Sequence, residues 1–183
     1  MADAFGRLFL YFVVMEHAII EFKARCGDHA RIREMLKQKN AKFVGEDHQV
    51  DTYFRVPTGR LKLREGDIEN ALVFYSRPNQ AGPKQSDVAL AKVPGNTDLR
   101  AVLEKALGVM VTVDKQREIY FIDNVKIHLD RVEGLGEFVE VEAIGSADEV
   151  AKLRGQCEAF LTEFGIGAEE LEEGSYSDLL MKN

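Results

Sequence analysis

Runs of alternating polar and apolar residues dominate the sequence, and a period of two is the spacing of a β-strand with two different faces. Turn residues separate several of these runs, for example Pro57-Thr58-Gly59 and Asp123-Asn124. Strands are predicted at residues 17–26, 49–56, 59–65, 70–77, 87–93, 112–122, 126–132 and 137–143.

Helix-capping signals interrupt the strands at three places. The first predicted helix covers residues 29–39 and is capped by Asp28. The second begins after Asn96 or Thr97 and ends at Leu107. The third begins after Ser146, which forms a capping box with Glu149, and reaches about Phe164. No linker divides the 183 residues, so strands with interspersed helices indicate one α+β domain.

Alternating strands of this kind can close in two ways. In the first, the charged faces point to water and the apolar faces form the core. In the second, the sheet curls into a barrel whose interior is charged and whose apolar outside is covered by helices. The alternation alone favours the first closure, because charged residues on a strand usually face solvent.

The charged residues themselves favour the second closure, because like charges recur on the same strand faces. Arg60, Lys62 and Arg64 share one face of one strand and would repel one another unless an anion lies among them. Glu140 and Glu142 raise the same problem with the opposite sign, which a divalent cation would relieve. Each feature alone is commoner on an exposed strand. Together they suit a metal–polyphosphate complex, since Arg and Lys both bind phosphate oxygens.

The overall charge argues against a general nucleic-acid binder. The net charge is −7, and residues 133–178 hold 13 acidic residues against 2 basic ones. Two cysteines, Cys26 and Cys157, form no disulfide framework, which predicts a reducing cytoplasm and inert buried thiols. No apolar run approaches the ~20 residues of a membrane span, so no membrane partner is expected.

Two segments are predicted to lie outside the main pattern. The apolar run Leu8–Met15 lacks a small-residue cleavage site, which argues against a signal peptide. Residues 1–16 are therefore predicted to be an N-terminal extension, followed by a single domain over residues 17–183. Residues 77–86, which include Lys84, are rich in Pro, Gly and polar residues and predict a flexible surface loop.

The order of six motifs resembles the CYTH superfamily, also called triphosphate tunnel metalloenzymes, and within it the class IV adenylate cyclases. The motifs are IEFKA (20–24), QVDTYF (49–54), GRLKLRE (59–65), DKQREIYF (114–121), KIHLDRVEGLGEFVEVEA (126–143) and SYSDLL (175–180). This resemblance spans about residues 19–180. It implies a closed, eight-stranded antiparallel β-barrel with a charged tunnel and helices packed outside, which is the second closure.

The resemblance also implies a Mg²⁺- or Mn²⁺-dependent enzyme whose partner is a small molecule containing a triphosphate. The implied reaction is cyclisation of ATP to cyclic AMP and pyrophosphate; hydrolysis of thiamine triphosphate, inorganic triphosphate or a nucleoside triphosphate is the alternative. The implied catalytic carboxylates are Glu21, Glu140 and Glu142, which would also hold the metal, with Asp130 close by. The implied triphosphate cradle consists of Lys23, Arg60, Lys62, Arg64, Lys115 and Arg117. Whether the protein forms a homodimer is left open by the resemblance.

The sequence departs from the family at one motif. The opening motif of the family is E-x-E-x-K, and here it reads Ile19-Ile20-Glu21-Phe22-Lys23, so an isoleucine stands in place of the first carboxylate. This departure keeps a third hypothesis open, in which the tunnel binds a polyphosphate or nucleotide without turning it over.

Overall fold

The computed structural model describes residues 15–95 and 97–182. The strands are β1 (Met15–Arg25), β2 (Lys42–Phe54), β3 (Arg60–Gly66), β4 (Ala71–Ser76), β5 (Lys84–Lys92), β6 (Val109–Ile122), β7 (Val125–Val132) and β8 (Gly136–Gly145). The helices are α1 (His29–Gln38), α2 (Leu99–Leu107), α3 (Val150–Phe164) and α4 (Tyr176–Leu180). The predicted N-terminal extension lies outside the described residues, apart from the first two residues of β1.

The strands form a closed barrel in the order β1-β5-β4-β3-β2-β6-β7-β8, and every neighbouring pair is antiparallel. Pairing of β8 with β1 completes the ring, which leaves these strands without a free sheet edge. The α+β class and the eight-stranded antiparallel barrel with helices outside are therefore confirmed.

The apolar side of the alternation faces outward and is buried under helices. Ile20 and Phe22 of β1 are fully buried in one cluster with Val139 and Val141 of β8. Apolar residues of α1 and α3, including Phe164, complete this cluster. The first closure, which the alternation alone favoured, is therefore wrong. The helices shield the apolar faces from water, and the charged faces line the barrel interior.

The strands extend further than the alternation predicts. β2 begins at Lys42, whereas the prediction began at residue 49, and β5 begins at Lys84. Lys84 is paired in register with Glu21 of β1 and is 1% exposed. The prediction of a flexible surface loop is therefore wrong at this lysine, because strand pairing carries its side chain into the barrel.

The helix caps largely follow the prediction. Asp28 accepts a hydrogen bond from the backbone N–H of Arg31, and the Ser146–Glu149 capping box precedes α3. At α2 the capping position is Asp98 and not Thr97, although the Thr97 hydroxyl accepts from the Leu99 N–H at 3.4 Å. Asn96, the other predicted cap, lies outside the described residues. No helix in the described ranges combines the length and hydropathy needed to cross a membrane.

After α3 the chain returns to the barrel. Leu171 forms an isolated bridge with Ala24, and the Glu172 N–H donates to the carbonyl of Lys23 at 2.8 Å. Tyr176, the first residue of α4, is buried edge-on against Phe138, with ring centroids 5.0 Å apart. The C-terminal segment thereby contributes side chains to the barrel interior.

Candidate active site

A cavity of about 450 Å³ lies inside the barrel and contains most of the predicted site. Of the predicted residues, those that line it are Glu21, Lys23, Lys62, Arg64, Lys115, Arg117, Glu140 and Glu142. The other two are tied to the site through ion pairs. Asp130 binds Arg117, and Arg60 binds Asp178 of α4 at 2.8 Å.

Asp51 of β2 neutralises the cationic side of the cavity. Its carboxylate, 2% exposed, accepts two hydrogen bonds from Arg64 at 2.9 and 3.0 Å. It also binds Lys62 at 2.9 Å and Lys115 at 2.8 Å. Burial opposes ionisation, but the charges of Arg64, Lys115 and Lys62 hold the pKa of Asp51 well below its usual range. The anion that the row of cations required is therefore supplied by the protein itself.

Glu140 and Asp130 share the second group of cations. Lys23 donates to Glu140 at 2.5 Å, and Arg117 bridges Glu140 at 2.7 Å and Asp130 at 2.6 Å. Tyr176 donates its hydroxyl to Asp130 at 2.6 Å, and the Lys23 ammonium lies 3.7 Å from the centre of the Tyr176 ring. Burial opposes ionisation of Glu140, yet Lys23 and Arg117 hold its pKa well below the usual value.

Glu142 is the carboxylate with the least compensation in this group. Burial and the neighbouring Glu140 charge raise the pKa of Glu142 to about 7. His128 lies beside both, with its Nδ1 atom 3.4 Å from Glu140 and 3.8 Å from Glu142. Burial and the Arg117 charge lower the pKa of His128 to about 3, so the imidazole is neutral near pH 7.

These three residues can fit a divalent cation. One ligand atom from each of His128, Glu140 and Glu142 lies within 4.8 Å of the others. Both nitrogens of His128 are buried without a hydrogen-bond partner among the described residues. Carboxylate oxygens suit Mg²⁺ and Mn²⁺. Glu21, which was predicted as the third ligand, lies opposite Glu142 in register, but its carboxylate pairs with Arg77 at 2.9 Å.

Sequence reasoning missed or underrated four residues of the barrel interior. Arg77 and Asp51 line the cavity, whereas His128 and Lys84 are fully buried without lining it. Burial and the Arg77 charge lower the pKa of Lys84 to about 8, and its ammonium donates to the carbonyls of Gln80, Glu172 and Glu173. His128 and Asp51 share the alternation of the predicted residues, so strand phase alone was the available signal. No comparable signal marked Lys84 within its loop-like segment.

Comparison with known proteins agrees with the barrel and its position in the chain. A family model described as CYTH domain matches residues 17–176. The chain belongs to the CYTH domain family. The match begins in β1 and ends in α4, so it includes every strand of the barrel and both groups of ion pairs.

Individual relatives are similar over most of the chain. "Putative adenylate cyclase MJ0240" of Methanocaldococcus jannaschii is 28% identical over 171 residues, covering 87% of this chain and 97% of the relative. "Adenylate cyclase CyaB" of Aeromonas hydrophila is also 28% identical over 171 residues, covering 87% of each chain. The solved structure of PH1012 protein from Pyrococcus horikoshii superimposes with a TM-score of 0.77 at 24% identity, over 90% of this chain and 99% of that one.

We predict that Asp51→Asn destabilises the protein because it leaves Arg64, Lys62 and Lys115 without their shared counter-charge. The expected loss is about 3–5 kcal/mol in the free energy of unfolding, measured by urea denaturation. Adding sulfate should recover part of this loss, since an anion can replace the carboxylate.

Asp114→Asn is the matched control for that variant. Asp114 pairs with His48 at 2.8 Å, but both side chains are more than 40% exposed. The control should therefore lose less than ~1 kcal/mol and show no specific response to sulfate. Equal losses in the two variants would contradict the role assigned to Asp51.

Proposed function

We propose that this chain is a divalent-metal-dependent enzyme that converts ATP to cyclic AMP and pyrophosphate inside the barrel. The observation that carries the proposal is the cavity itself. There, cations able to hold a chain of phosphates face the carboxylates of Glu140 and Glu142, and the charge of Glu142 is incompletely compensated. The names of the two relatives support the choice of cyclisation among reactions on a triphosphate.

Phosphate binding would proceed by exchange of ion pairs. Arg64, Lys62 and Lys115 already converge on one carboxylate group, so their donors point toward a common centre. A phosphate chain can replace that carboxylate as their partner, and the Arg64 guanidinium can hold two phosphate oxygens at once. Little reorganisation of the cations is needed, which favours binding.

Glu140 and Glu142 would hold Mg²⁺ or Mn²⁺, with His128 or Glu21 beside them. The metal, when bound, would offset negative charge on the phosphate oxygens during in-line displacement. Lys23 and Arg117 lie against Glu140 and would remain next to the reacting phosphates. The uncompensated charge at Glu142 is the reason that a cation is expected at this end of the cavity.

In the proposed reaction the ribose 3′-hydroxyl attacks the α-phosphorus and gives up its proton. The bond from the α-phosphorus to the bridging oxygen breaks, and pyrophosphate leaves and takes up that proton, directly or through water. The cationic residues stabilise the charge that develops on the leaving group. The same cradle would serve attack by water at the γ-phosphorus, which defines a triphosphatase. The remaining hypothesis is a protein that binds a polyphosphate or nucleotide without turning it over. The cytoplasmic location and the homodimer stay predictions.

The deciding experiment incubates the protein with ATP, thiamine triphosphate and inorganic triphosphate, each with Mg²⁺ and with Mn²⁺. Cyclic AMP with an equal amount of pyrophosphate is the expected result with ATP. Orthophosphate without cyclic AMP would replace cyclisation by the triphosphatase reaction. Calorimetric binding without any product would leave a binder, and absence of binding to all three compounds would overturn the tunnel hypothesis.

Two variants should separate phosphate binding from metal-dependent turnover. Arg64→Ala removes a two-pronged phosphate donor and should weaken metal-free ATP binding by roughly 10-fold or more, with a smaller salt dependence. Glu142→Gln keeps the shape of the side chain but removes its charge, and should abolish turnover while ATP still binds. Calorimetry and product assays measure the two effects.

Arg131→Ala serves as the control for Arg64→Ala. Arg131 is an exposed residue of β7, and its side chain lies on the face of the strand opposite to that of the buried Asp130. It should change neither binding nor turnover. If Arg64→Ala behaves like Arg131→Ala, or Glu142→Gln keeps full activity, the residue roles proposed here are wrong.

The protonation of Lys115 gives a separate prediction. Burial lowers the pKa of Lys115 to about 7, despite Asp51, and Arg64 and Arg117 add to the shift. A bound polyanion favours the charged ammonium and raises that pKa. Metal-free binding of inorganic triphosphate at pH 8 should therefore take up protons, and affinity should rise as pH falls from about 9 toward 7.

Calorimetry in buffers of different ionisation enthalpy measures this uptake. Lys115→Met should reduce it, since the variant has no amine to protonate at this position, and any uptake that remains would belong to other groups such as Glu142. Identical proton uptake in wild type and Lys115→Met would contradict the assignment to Lys115.

A further inference from the structure

The ammonium group of Lys23, on β1, has two different partners inside the barrel. It donates to the Glu140 carboxylate at 2.5 Å and lies 3.7 Å from the centre of the Tyr176 ring. The first contact joins opposite charges. The second places a cation over the face of an aromatic ring, whose π electrons attract it. Among the residues that the structure describes, no second carboxylate forms an ion pair with Lys23.

The two partners respond differently to the ligands of the proposed reaction. Glu140 is a proposed metal ligand, and a divalent cation on its carboxylate would repel the Lys23 ammonium from it. A phosphate chain would compete with Glu140 for the same ammonium. The Tyr176 ring has no net charge, so neither ligand takes its place as a partner of Lys23.

Tyr176 is fixed from two sides. Its side chain is 5% exposed, its hydroxyl donates to Asp130 at 2.6 Å, and its ring packs edge-on against Phe138. Burial and the Asp130 charge raise the pKa of the Tyr176 hydroxyl well above its usual value, so the side chain stays neutral. The face of the ring therefore offers an ammonium group one defined position at the cavity surface.

The rest of the C-terminal segment ties this ring to β1. The Glu172 N–H donates to the backbone carbonyl of Lys23 at 2.8 Å. The Asp178 carboxylate accepts hydrogen bonds from the backbone N–H and the hydroxyl of Ser175, both at 2.8 Å, and this capping box begins α4 at Tyr176. One segment thus holds both the backbone of Lys23 and the ring that its ammonium contacts.

We propose that Tyr176 is a positioning residue that keeps the Lys23 ammonium directed at the phosphates while Glu140 holds a metal ion. This inference rests on the proposed function, because it needs both a triphosphate and a metal ion in the barrel. Contacts between a cation and an aromatic face are strongest where water is excluded, and Lys23 is 3% exposed. Without the ring, Lys23 would be ordered only when the phosphates bind, which costs affinity.

The test measures affinity for bis(methylene)triphosphate, which has no P–O–P bond to break, by calorimetry with and without Mg²⁺. Tyr176→Leu should weaken binding about 10-fold with Mg²⁺, when Glu140 is occupied by the metal. Without Mg²⁺ the loss should stay within about threefold, because Glu140 still holds Lys23. Tyr176→Phe keeps the ring and should stay within about threefold of wild type in both conditions.

Two comparisons separate positioning from a general loss of structure. Tyr120→Leu is the matched control, because the Tyr120 hydroxyl also donates to a carboxylate, that of Glu118 at 2.7 Å, but in the apolar cluster outside the barrel. It should leave both affinities within about twofold of wild type. In a Lys23→Met background, Tyr176→Leu should cause no further loss with Mg²⁺, since the residue through which it acts is gone.

The possible results are distinct. Equal losses with and without Mg²⁺, or an undiminished loss in the Lys23→Met background, would overturn the role of Tyr176 and leave the triphosphate tunnel intact. Wild-type protein that does not bind the analogue would overturn the proposed function, and this role with it.

A melting curve shows whether Tyr176→Leu folds. If it does not, 3,4,5-trifluorophenylalanine in place of Tyr176 is compared with Tyr176→Phe, because fluorine keeps the ring but weakens its negative face. Severalfold weaker binding with Mg²⁺ is then the expected result, and equal binding by the two rings would overturn the role of Tyr176.

Discussion

The structure depends on compensation of charge inside a closed barrel. An unpaired charge in a dry interior costs several kcal/mol, so a barrel lined with lysine, arginine and glutamate folds only if these groups neutralise one another. Asp51 does this for three cations, and Arg117 does it between Glu140 and Asp130. The ion pairs therefore hold the interior together in the absence of any ligand.

The same compensation makes the interior ready to exchange partners. A polyphosphate brings several negative oxygens to cations that have already lost their hydration and much of their rotamer freedom, so the cost of ordering them has been met during folding. Glu142 stands apart, because burial and the charges of Glu140 and Glu21 outweigh the attraction of Lys126 and raise its pKa. The interior thus contains cations whose charge Asp51 neutralises, which suits an anion. It also contains the Glu142 carboxylate, whose charge is incompletely compensated, which suits a cation.

Much of this arrangement was accessible from the sequence. The alternation located all eight strands. Alternation alone favoured charged faces that point to water, whereas the motif order indicated a barrel with its charged faces inside. Strand phase placed Arg64 and Glu142 on the charged faces of their strands, and the motif order indicated that these faces point inward. Neither could show that Asp51 would bind the cations, since residues on different strands meet only through register. Lys84 was missed because Pro and Gly before it suggest a loop, whereas pairing with Glu21 extends β5. Ile19 stands in place of a carboxylate of the family motif, and its phase on β1 places it in the cavity lining.

The ring of hydrogen-bonded strands also limits the route by which molecules reach the interior. Because β8 pairs with β1, no gap opens between neighbouring strands, and access runs along the barrel axis. A phosphate group at the end of a molecule can enter this passage lengthwise, whereas a linkage in the middle of a long polymer could reach the interior only after one whole flanking arm had been threaded along the axis. The topology therefore favours terminal over internal phosphates before any side chain makes contact.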